Sequence, residues 1–350
     1  METTAAKAEK TFLLKQYLAE SLDPIHIGTG EFRLGRVDNT IVREPGTNLP
    51  KIPGSSIAGV ARAYTAMECG KYRWGGDRSC AGKGGKDGDK HCCKADCPVC
   101  TAYGFSSKSW SFQGLAQLSD SRILFFPVYT AAGPVWVTCP AALEDAGCEG
   151  SASWEGWNQR LSTTQGKNFV LVCGGQLPNP LDLGWLYLPH YEGSNDLGAP
   201  GGWKVKDHQG ERKLGGIEYL KAILDRLVMV SNERFCNVVE DQLEVRTSVS
   251  ISPETGAAEE GALFTWEAIP RACFFFFPVT YLKPEYFRVP GGEGDGDGEI
   301  QEEPGKAASV EWVQGNVEKG LGLMEYLGVG GANTRGMGRL RVLGLGGGRQ

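Results

Sequence analysis

GVGGANTRGMGRLRV, residues 328–342, is the most informative stretch of this chain. Five glycines are interleaved there with Arg335, Arg339 and Arg341, and the run ends in a strand-like pattern. Such a loop lets main-chain N–H groups and guanidinium groups approach phosphates closely. Its plain alternative is a glycine-rich turn before an amphipathic strand. Residues 309–328, just upstream, carry a helical pattern, so the chain is predicted to close with a helix, a glycine loop and a strand.

Composition excludes several broad classes of protein. The 350 residues are 41% hydrophobic and 22% charged, which is ordinary globular usage. This length suggests two domains at most, or one domain with large insertions. The formal net charge of −6 argues against a general electrostatic grip on nucleic acid, although it permits a local basic channel. The apolar stretch at residues 272–282 is too short to span a bilayer, and the first twenty residues lack a secretory signal. We therefore expect a soluble, cytoplasmic protein without a membrane partner.

Strand-like and helical patterns alternate along the chain and predict an α+β fold built on split βαβ units. Residues 11–20 are ambiguous between a strand and a short helix. A helix is expected over residues 53–68 with Ser55 or Ser56 as its N-cap, and an amphipathic helix over residues 217–235. The remaining expectations are a β-hairpin over residues 123–140, two extended arms over residues 243–270, and an acidic, mobile loop at residues 290–306.

The cysteines are concentrated in one segment, which predicts a metal site. Six of the eleven lie between Cys69 and Cys100, in a glycine- and lysine-rich stretch with few aliphatic residues. CPVC at residues 97–100 supplies two zinc ligands from one turn, and upstream thiols can complete a tetrahedron. The predicted structural zinc ligands are Cys80, Cys93, Cys97 and Cys100, with Cys92 or His91 as alternatives. The competing interpretation is a loop of reduced thiols.

His26 and Asp38 flank a glycine-rich loop in PIHIGTGEFRLGRVDNTIVRE, residues 24–44. A single histidine or aspartate in a loop is more often structural than catalytic. The motifs of P-loop proteins, serine hydrolases, zinc proteases and kinases are absent from the sequence, so these common enzyme classes have no support.

Six segments, taken in order, give a clear resemblance to a known family. They are PIHIGTG, GRVDNTIVREPGTNLPKIPGSSIAGVAR, CPVCTAYG, GLAQLSDSRILFFPVYTAAGPVWVTCP, EVRTSVSISPETGAAEEGALFTWEAIP and GVGGANTRGMGRLRV. Together they resemble the RAMP superfamily of CRISPR effector proteins, and within it the repeated backbone subunit of type III-B (Cmr) complexes. Two departures stand out: Asn39-Thr40 follows the aspartate where the family usually has leucine and proline, and the cysteine insertion is longer than is typical.

The resemblance implies a single ferredoxin-like (RRM-like) palm over residues 1–350. Its insertions would be a zinc-knuckle segment at residues 69–105 and a β-hairpin thumb at residues 241–272. It also implies partners, namely a crRNA guide, single-stranded target RNA, further copies of the chain, other Cmr/RAMP subunits and a large polymerase-like subunit. Thumbs of this family wedge into the guide–target duplex and expose a target phosphate for cleavage at regular intervals.

The same resemblance assigns roles to individual residues. Asp38 would be catalytic, with Mg²⁺ or Mn²⁺ as the ion and with His26 and Glu267 in support. RNA binding would fall on residues at helix starts and glycine loops, namely Ser55, Ser56, Arg62, Gly331, Arg335 and Arg339. Two alternatives stay open: a non-catalytic RNA-binding scaffold, and a metal-free, guide-processing ribonuclease that relies on a histidine.

Overall fold

The computed structural model describes residues 10–30, 37–72, 79–81, 91–106, 111–150, 153–163, 166–192, 197–287 and 309–345. The acidic loop predicted at residues 290–306 lies outside these ranges. Within them, no helix is both long enough and apolar enough to cross a membrane.

Helices and strands alternate along the described chain. The helices are α1 Gly54–Glu68, α2 Pro98–Tyr103, α3 Pro140–Asp145, α4 Trp154–Ser162, α5 Glu218–Leu224, α6 Asn232–Asp241 and α7 Val310–Leu327. The strands up to the middle of the chain are β1 Phe12–Ser21, β2 Lys51–Ile52, β3 Phe105–Ser106, β4 Ser111–Phe112, β5 Ala116–Leu118, β6 Ser121–Thr130, β7 Gly133–Thr138, β8 Cys148–Glu149 and β9 Leu171–Val172. The later strands are β10 Leu181–Leu183, β11 Leu186–Leu188, β12 Lys204–Asp207, β13 Gly210–Lys213, β14 Leu227–Met229, β15 Glu244–Ile251, β16 Ala258–Ala268, β17 Phe274–Leu282 and β18 Leu340–Leu343.

The chain divides into two compact units. The first contains Met1–Lys15, Ala58–Leu118 and Pro278–Leu321, and the second contains Gln16–Ile57, Ser119–Phe277 and Gly322–Gln350.

Most strands of a mixed sheet with the strand order β18-β1-β17-β6-β7-β14-β9 lie in the second unit. Strand β14 runs parallel to β7, whereas β6 and β7 form an antiparallel hairpin. Strand β2 pairs with β6 through Lys51 and Ile52. The aromatic and aliphatic side chains between this sheet and its helices form the core, which includes Phe125, Trp157, Trp203, Leu227 and Phe274. Their burial supplies the main driving force for folding of this unit.

The first unit holds most of α1 and α7, α2, and strands β3 to β5. Helices α1 and α7 approach closely at Gly320, where a Cβ would lie 2.4 Å from the Ala61 carbonyl oxygen. Thr65 Oγ1 donates a hydrogen bond of 3.1 Å to the carbonyl of Asn316 at the same contact. Lys15 and Glu318 form a buried ion pair of 2.6 Å. A separate small core gathers Ala66, Cys80, Ala81, Cys97, Val99, Cys100 and Phe105.

Strands β15 and β16 form an antiparallel hairpin that pairs in regular register from Glu244–Ala268 to Val249–Leu263. The register shifts only beyond Val249, towards the turn. Five of its apolar side chains are largely exposed, namely Val245, Val249, Ile251, Leu263 and Phe264. The hairpin therefore presents apolar surface to solvent.

The predicted α+β class is confirmed by the mixed sheet and its helices. The single helix predicted over residues 217–235 is wrong, because α5 ends at Leu224 and Ser231 caps a new helix, α6. Between them Leu227–Met229 is completely buried and pairs with β7, so tertiary burial overrides the helical periodicity. The predicted N-cap of α1 is also wrong. The helix begins at Gly54, so Ser55 and Ser56 lie inside its first turn.

Candidate functional site

The segment that carries Asp38 lies beside the hairpin strand β16 and pairs with it at Asn39. Asn39 N donates to the Thr265 carbonyl at 3.0 Å, and Glu267 N donates to the Asn39 carbonyl at 3.0 Å. Asn39 and Trp266 thereby form a parallel bridge. These bonds fix the backbone of the segment on the base of the hairpin.

Thr265 holds the Asp38 carboxylate. The backbone N–H and the hydroxyl of Thr265 both donate to Asp38 Oδ2, each at 2.8 Å. The hydroxyl also accepts a bond of 2.9 Å from the Asp38 N–H. The backbone bond, followed by the hydroxyl bond, lowers the pKa of Asp38 below its usual 3.8. Asp38 therefore carries its negative charge throughout the neutral and mildly acidic range.

Glu267 is buried and its carboxylate is fully engaged in holding the same segment. Its Oε2 accepts from the Ile41 N–H at 3.0 Å, and its Oε1 accepts from Arg43 Nη2 at 2.6 Å. Arg43 also pairs with Glu240 on α6. Through these bonds Glu267 anchors residues 41–43, and its catalytic role stays a prediction.

His26 is buried at the same strand, with 4% of its surface exposed. Its Nδ1 lies 2.7 Å from the Glu267 carbonyl, and because a carbonyl only accepts, Nδ1 carries a proton. The ring stands edge-on to Trp266 with centroids 4.9 Å apart. Gly28 passes so close that a Cβ there would lie 3.0 Å from Nε2. Asp38 contacts Thr265, whereas His26 contacts Trp266 and the Glu267 carbonyl. The three predicted catalytic residues therefore meet at positions 265–267 of β16.

The glycine loop at residues 328–339 closes over His26. Gly331 N donates to the His26 carbonyl at 2.9 Å. Gly330 has φ +83°, and a Cβ on it would lie 2.4 Å from that same carbonyl oxygen, so only glycine fits there. Arg335 is exposed and its guanidinium lies 5.6 Å from the Trp266 ring centroid.

The predicted RNA-binding residues differ in whether other groups of the protein already occupy their side chains. Arg339 forms a two-bonded ion pair with Asp23, at 2.6 and 2.9 Å, whereas Arg335 is in no ion pair of the described residues. At the start of α1, Ser55 is exposed, but Asp120 accepts the Gly54 N–H at 2.8 Å and occupies a phosphate-like position.

Four thiols of the first unit form a compact cluster: Cys80, Cys92, Cys97 and Cys100, with all sulfur atoms within 4.8 Å of one another. The Sγ–Sγ distances are 3.5 Å for Cys80–Cys92 and 3.8 Å for both Cys92–Cys100 and Cys97–Cys80. A tetrahedral zinc site with bonds of about 2.3 Å has sulfur–sulfur edges of about 3.8 Å. The donor set and spacing therefore fit a tetrahedral metal ion.

Cys92, and not Cys93, completes this cluster. The backbone at Cys93 has φ 52°, which turns its thiol out of the cluster to 3.5 Å from the His91 carbonyl. The hydrogen bond with Cys100 makes the largest contribution in lowering the pKa of the Cys92 thiol below its usual range. A bound cation would favour the thiolate form at all four positions.

Arg62 lies against the cysteine cluster and is half-buried. Its Nε donates to the Cys80 carbonyl at 2.9 Å, and its Nη2 lies 3.3 Å from His91 Nδ1. Burial lowers the pKa of the guanidinium, and the neighbouring thiols oppose that effect. These contacts tie Arg62 to the cysteine insertion, and its RNA-binding role stays a prediction.

The fold and these loops define a class of protein. A family model described as the RAMP superfamily matches residues 18–341, and the chain belongs to this superfamily. It is 26% identical over 281 residues to the CRISPR system Cmr endoribonuclease Cmr4 of Pyrococcus furiosus, covering 76% of this chain and 80% of that protein. It is 35% identical over 92 residues to the Cms endoribonuclease Csm3 of Methanothermobacter thermautotrophicus, covering 26% of this chain and 32% of that protein.

Solved structures share the fold. One is the type III-B Cmr-beta complex bound to cognate target RNA, with TM-score 0.57 and 13% identity, covering 95% of this chain and 98% of that one. Another is oligomeric Cmr4 from Pyrococcus furiosus, with TM-score 0.50 and 16% identity, covering 95% of this chain and 98% of that one. These matches confirm the resemblance of the sequence to the RAMP backbone subunit of Cmr complexes.

Thr265, Trp266 and Arg43 were missed by the sequence analysis. Thr265 and Glu267 are two residues apart on one strand, so their side chains share the face that meets the Asp38 segment. That alternation was visible in the sequence, but the partner segment was not.

Proposed function

We propose that this chain is a backbone subunit of a type III CRISPR effector complex that binds crRNA and cleaves complementary target RNA. The observation that carries the proposal is the Asp38 carboxylate, fixed in its ionised form at the base of the β15–β16 hairpin. The endoribonuclease names of two relatives support the same activity. We also propose that the β-sheet core is the ferredoxin-like palm expected from the resemblance.

The hairpin would act as the thumb. Its exposed apolar side chains suit contact with the faces of unstacked bases, and unstacking costs only a few kcal/mol per step. A kinked target strand allows a ribose 2′-OH to align with its own phosphate. Because Asp38 is tied to the base of this hairpin, the phosphate exposed by the thumb would lie near the acid.

The lowered pKa of Asp38 makes it a weak proton acceptor near neutral pH and suits a purely ionic role. Both Thr265 bonds end on Oδ2, so Oδ1 is the oxygen that would hold a divalent cation or the substrate. Mg²⁺ and Mn²⁺ sites commonly combine one carboxylate with RNA phosphate oxygens, which fits this single acid. Such an ion would neutralise charge that develops on the phosphate.

The guide RNA would lie along the glycine loop. Exposed Arg335 is its best-supported ligand, with Ser55 and Ser56 at the start of α1 in support. The Gly331 N–H already donates to the His26 carbonyl, so exposed Gly331 would contribute close approach of the RNA backbone rather than a donor. The other proposed partners are further copies of this chain, other RAMP subunits and a large polymerase-like subunit. Zinc bound by the four clustered cysteines would stabilise the first unit.

The test is a complex assembled on guide RNA and supplied with end-labelled complementary RNA. We expect evenly spaced products that end in 2′,3′-cyclic phosphate, require Mg²⁺ or Mn²⁺ and disappear with Asp38→Ala. Asp225→Ala, an exposed aspartate at the end of α5, is the matched control and should cut normally. Bound but intact target in the parental complex would identify a scaffold instead, and cleavage of a free guide precursor would identify a processing enzyme.

A further inference from the structure

Thr265 makes contacts that an ordinary strand residue does not need. Its hydroxyl can donate only one hydrogen, which goes to Asp38 Oδ2 at 2.8 Å. The same oxygen accepts from the Asp38 N–H at 2.9 Å, so one hydroxyl fixes both the carboxylate and the backbone of Asp38. The Thr265 N–H adds a second donor to Oδ2.

The two bonds that end on Oδ2 restrict the rotation of the carboxylate. With two donors on Oδ2 at 2.8 Å each, Oδ2 is held against Thr265 and the two carboxylate oxygens are no longer equivalent. Among the hydrogen bonds of the described residues, none ends on Oδ1. Without such bonds the two carboxylate oxygens would be equivalent, and the carboxylate would rotate freely about its Cβ–Cγ bond.

The bonds also connect the acid to the thumb. Thr265 belongs to β16, whose register with β15 is regular at this level, opposite Thr247. Asn39 N and its side-chain Nδ2 both donate to the Thr265 carbonyl, at 3.0 and 3.3 Å. The position of Asp38 is therefore set by the strand that would carry the wedge.

We infer that Thr265 is a positioning residue for the cleavage reaction, one that orients Asp38 Oδ1 towards the scissile phosphate and fixes its distance from the thumb. The inference rests on the proposed function. Thr265 itself does not touch the reacting atoms and acts through Asp38. Correct placement of a catalytic group is worth large rate factors, and a displacement of about 1 Å can cost roughly a hundredfold.

The experiment measures single-turnover cleavage and target affinity in assembled complexes. Thr265→Val keeps the side-chain shape and the N–H bond but removes the hydroxyl. We expect cleavage to fall about tenfold to a hundredfold with unchanged target affinity, because only the acid is misplaced. Thr265→Ser, which restores the hydroxyl, should recover cleavage to within about threefold. Thr280→Val on β17 makes the same chemical change away from the hairpin and should leave the rate unchanged.

Equal cleavage by Thr265→Val and the parental complex would overturn the inference while leaving the proposed function intact. A parental complex that binds target without cutting it would overturn both. A measurement without activity gives a second test: the losses in Tm of Asp38→Ala and Thr265→Val should be less than additive in the double variant. Fully additive losses would show that the two side chains are not coupled and would also overturn the inference.

Discussion

The buried contact between Arg43 and Glu267 gives a quantitative prediction for the stability of the site. Glu267 has 10% of its side chain exposed and Arg43 has 17%, and their atoms are 2.6 Å apart. Replacing Arg43 with Met leaves the carboxylate buried with only the Ile41 N–H as its partner. Removing one member of a buried pair costs about 3–5 kcal/mol, so we expect a loss of about 3 kcal/mol in the free energy of unfolding.

The second partner of Arg43 contributes little to this figure. Glu240 has 49% of its side chain exposed, and pairs of this kind contribute about 0–1 kcal/mol. Adding Glu267→Gln to Arg43→Met should restore stability to within about 1 kcal/mol, because a neutral amide still accepts from Ile41.

Urea unfolding at pH 7, followed by circular dichroism, measures these differences. Arg246→Met is the matched control, since its pair with Glu244 has side chains that are 40% and 29% exposed. That control should lose no more than about 1 kcal/mol. A loss below about 1 kcal/mol for Arg43→Met would refute the reasoning, because the pair would then behave as a solvated surface contact.

Three further outcomes are expected. Metal analysis should find about one zinc per chain, lost in Cys92→Ser and retained in Cys93→Ser, because only Cys92 belongs to the cluster. Arg335→Ala should reduce the slope of log affinity against log salt concentration for guide binding by about one, the value of one phosphate contact. Arg339→Ala should reduce this slope by less, because Arg339 already pairs with Asp23. The Arg339 hydrogen bond lowers the pKa of Asp23 below 3.8, so this pair stabilises the fold above about pH 4 and the benefit disappears as acid protonates Asp23. Acid titration of wild type and Arg339→Ala should therefore converge at low pH, and a constant difference would contradict this assignment.

Local patterns predicted the fold where burial and periodicity agree. The two apolar runs around Ala131–Gly133 gave the β6–β7 hairpin, and the helical spacing at residues 309–328 gave α7. The prediction from periodicity failed at residues 217–235, because Leu227–Met229 forms a strand that pairs with β7. That pairing depends on a long-range contact which no local window contains.

The candidate site was predictable as a set of residue types and less so as a set of contacts. Spacing identified the cysteine segment, but the choice between Cys92 and Cys93 depended on the left-handed backbone at Cys93. The resemblance pointed to Asp38 and Glu267, whereas the different partners of these two acids became visible only in three dimensions. Arg62 illustrates the same limit, because its partners come from the folded insertion.

The contacts of the Asp38 segment depend on the register of strand β16 at the base of the β15–β16 hairpin. A slip of one residue would present Trp266 and Ala268 to the Asp38 segment in place of Thr265 and Glu267. Asp38 would then lose its bonds to Thr265, and Arg43 would lose its bond to Glu267. The existing irregularity lies beyond Val249, on the side of the turn, where it leaves this register intact. Insertions and deletions among related chains should therefore accumulate near the turn, and residues 263–268 should keep a constant length.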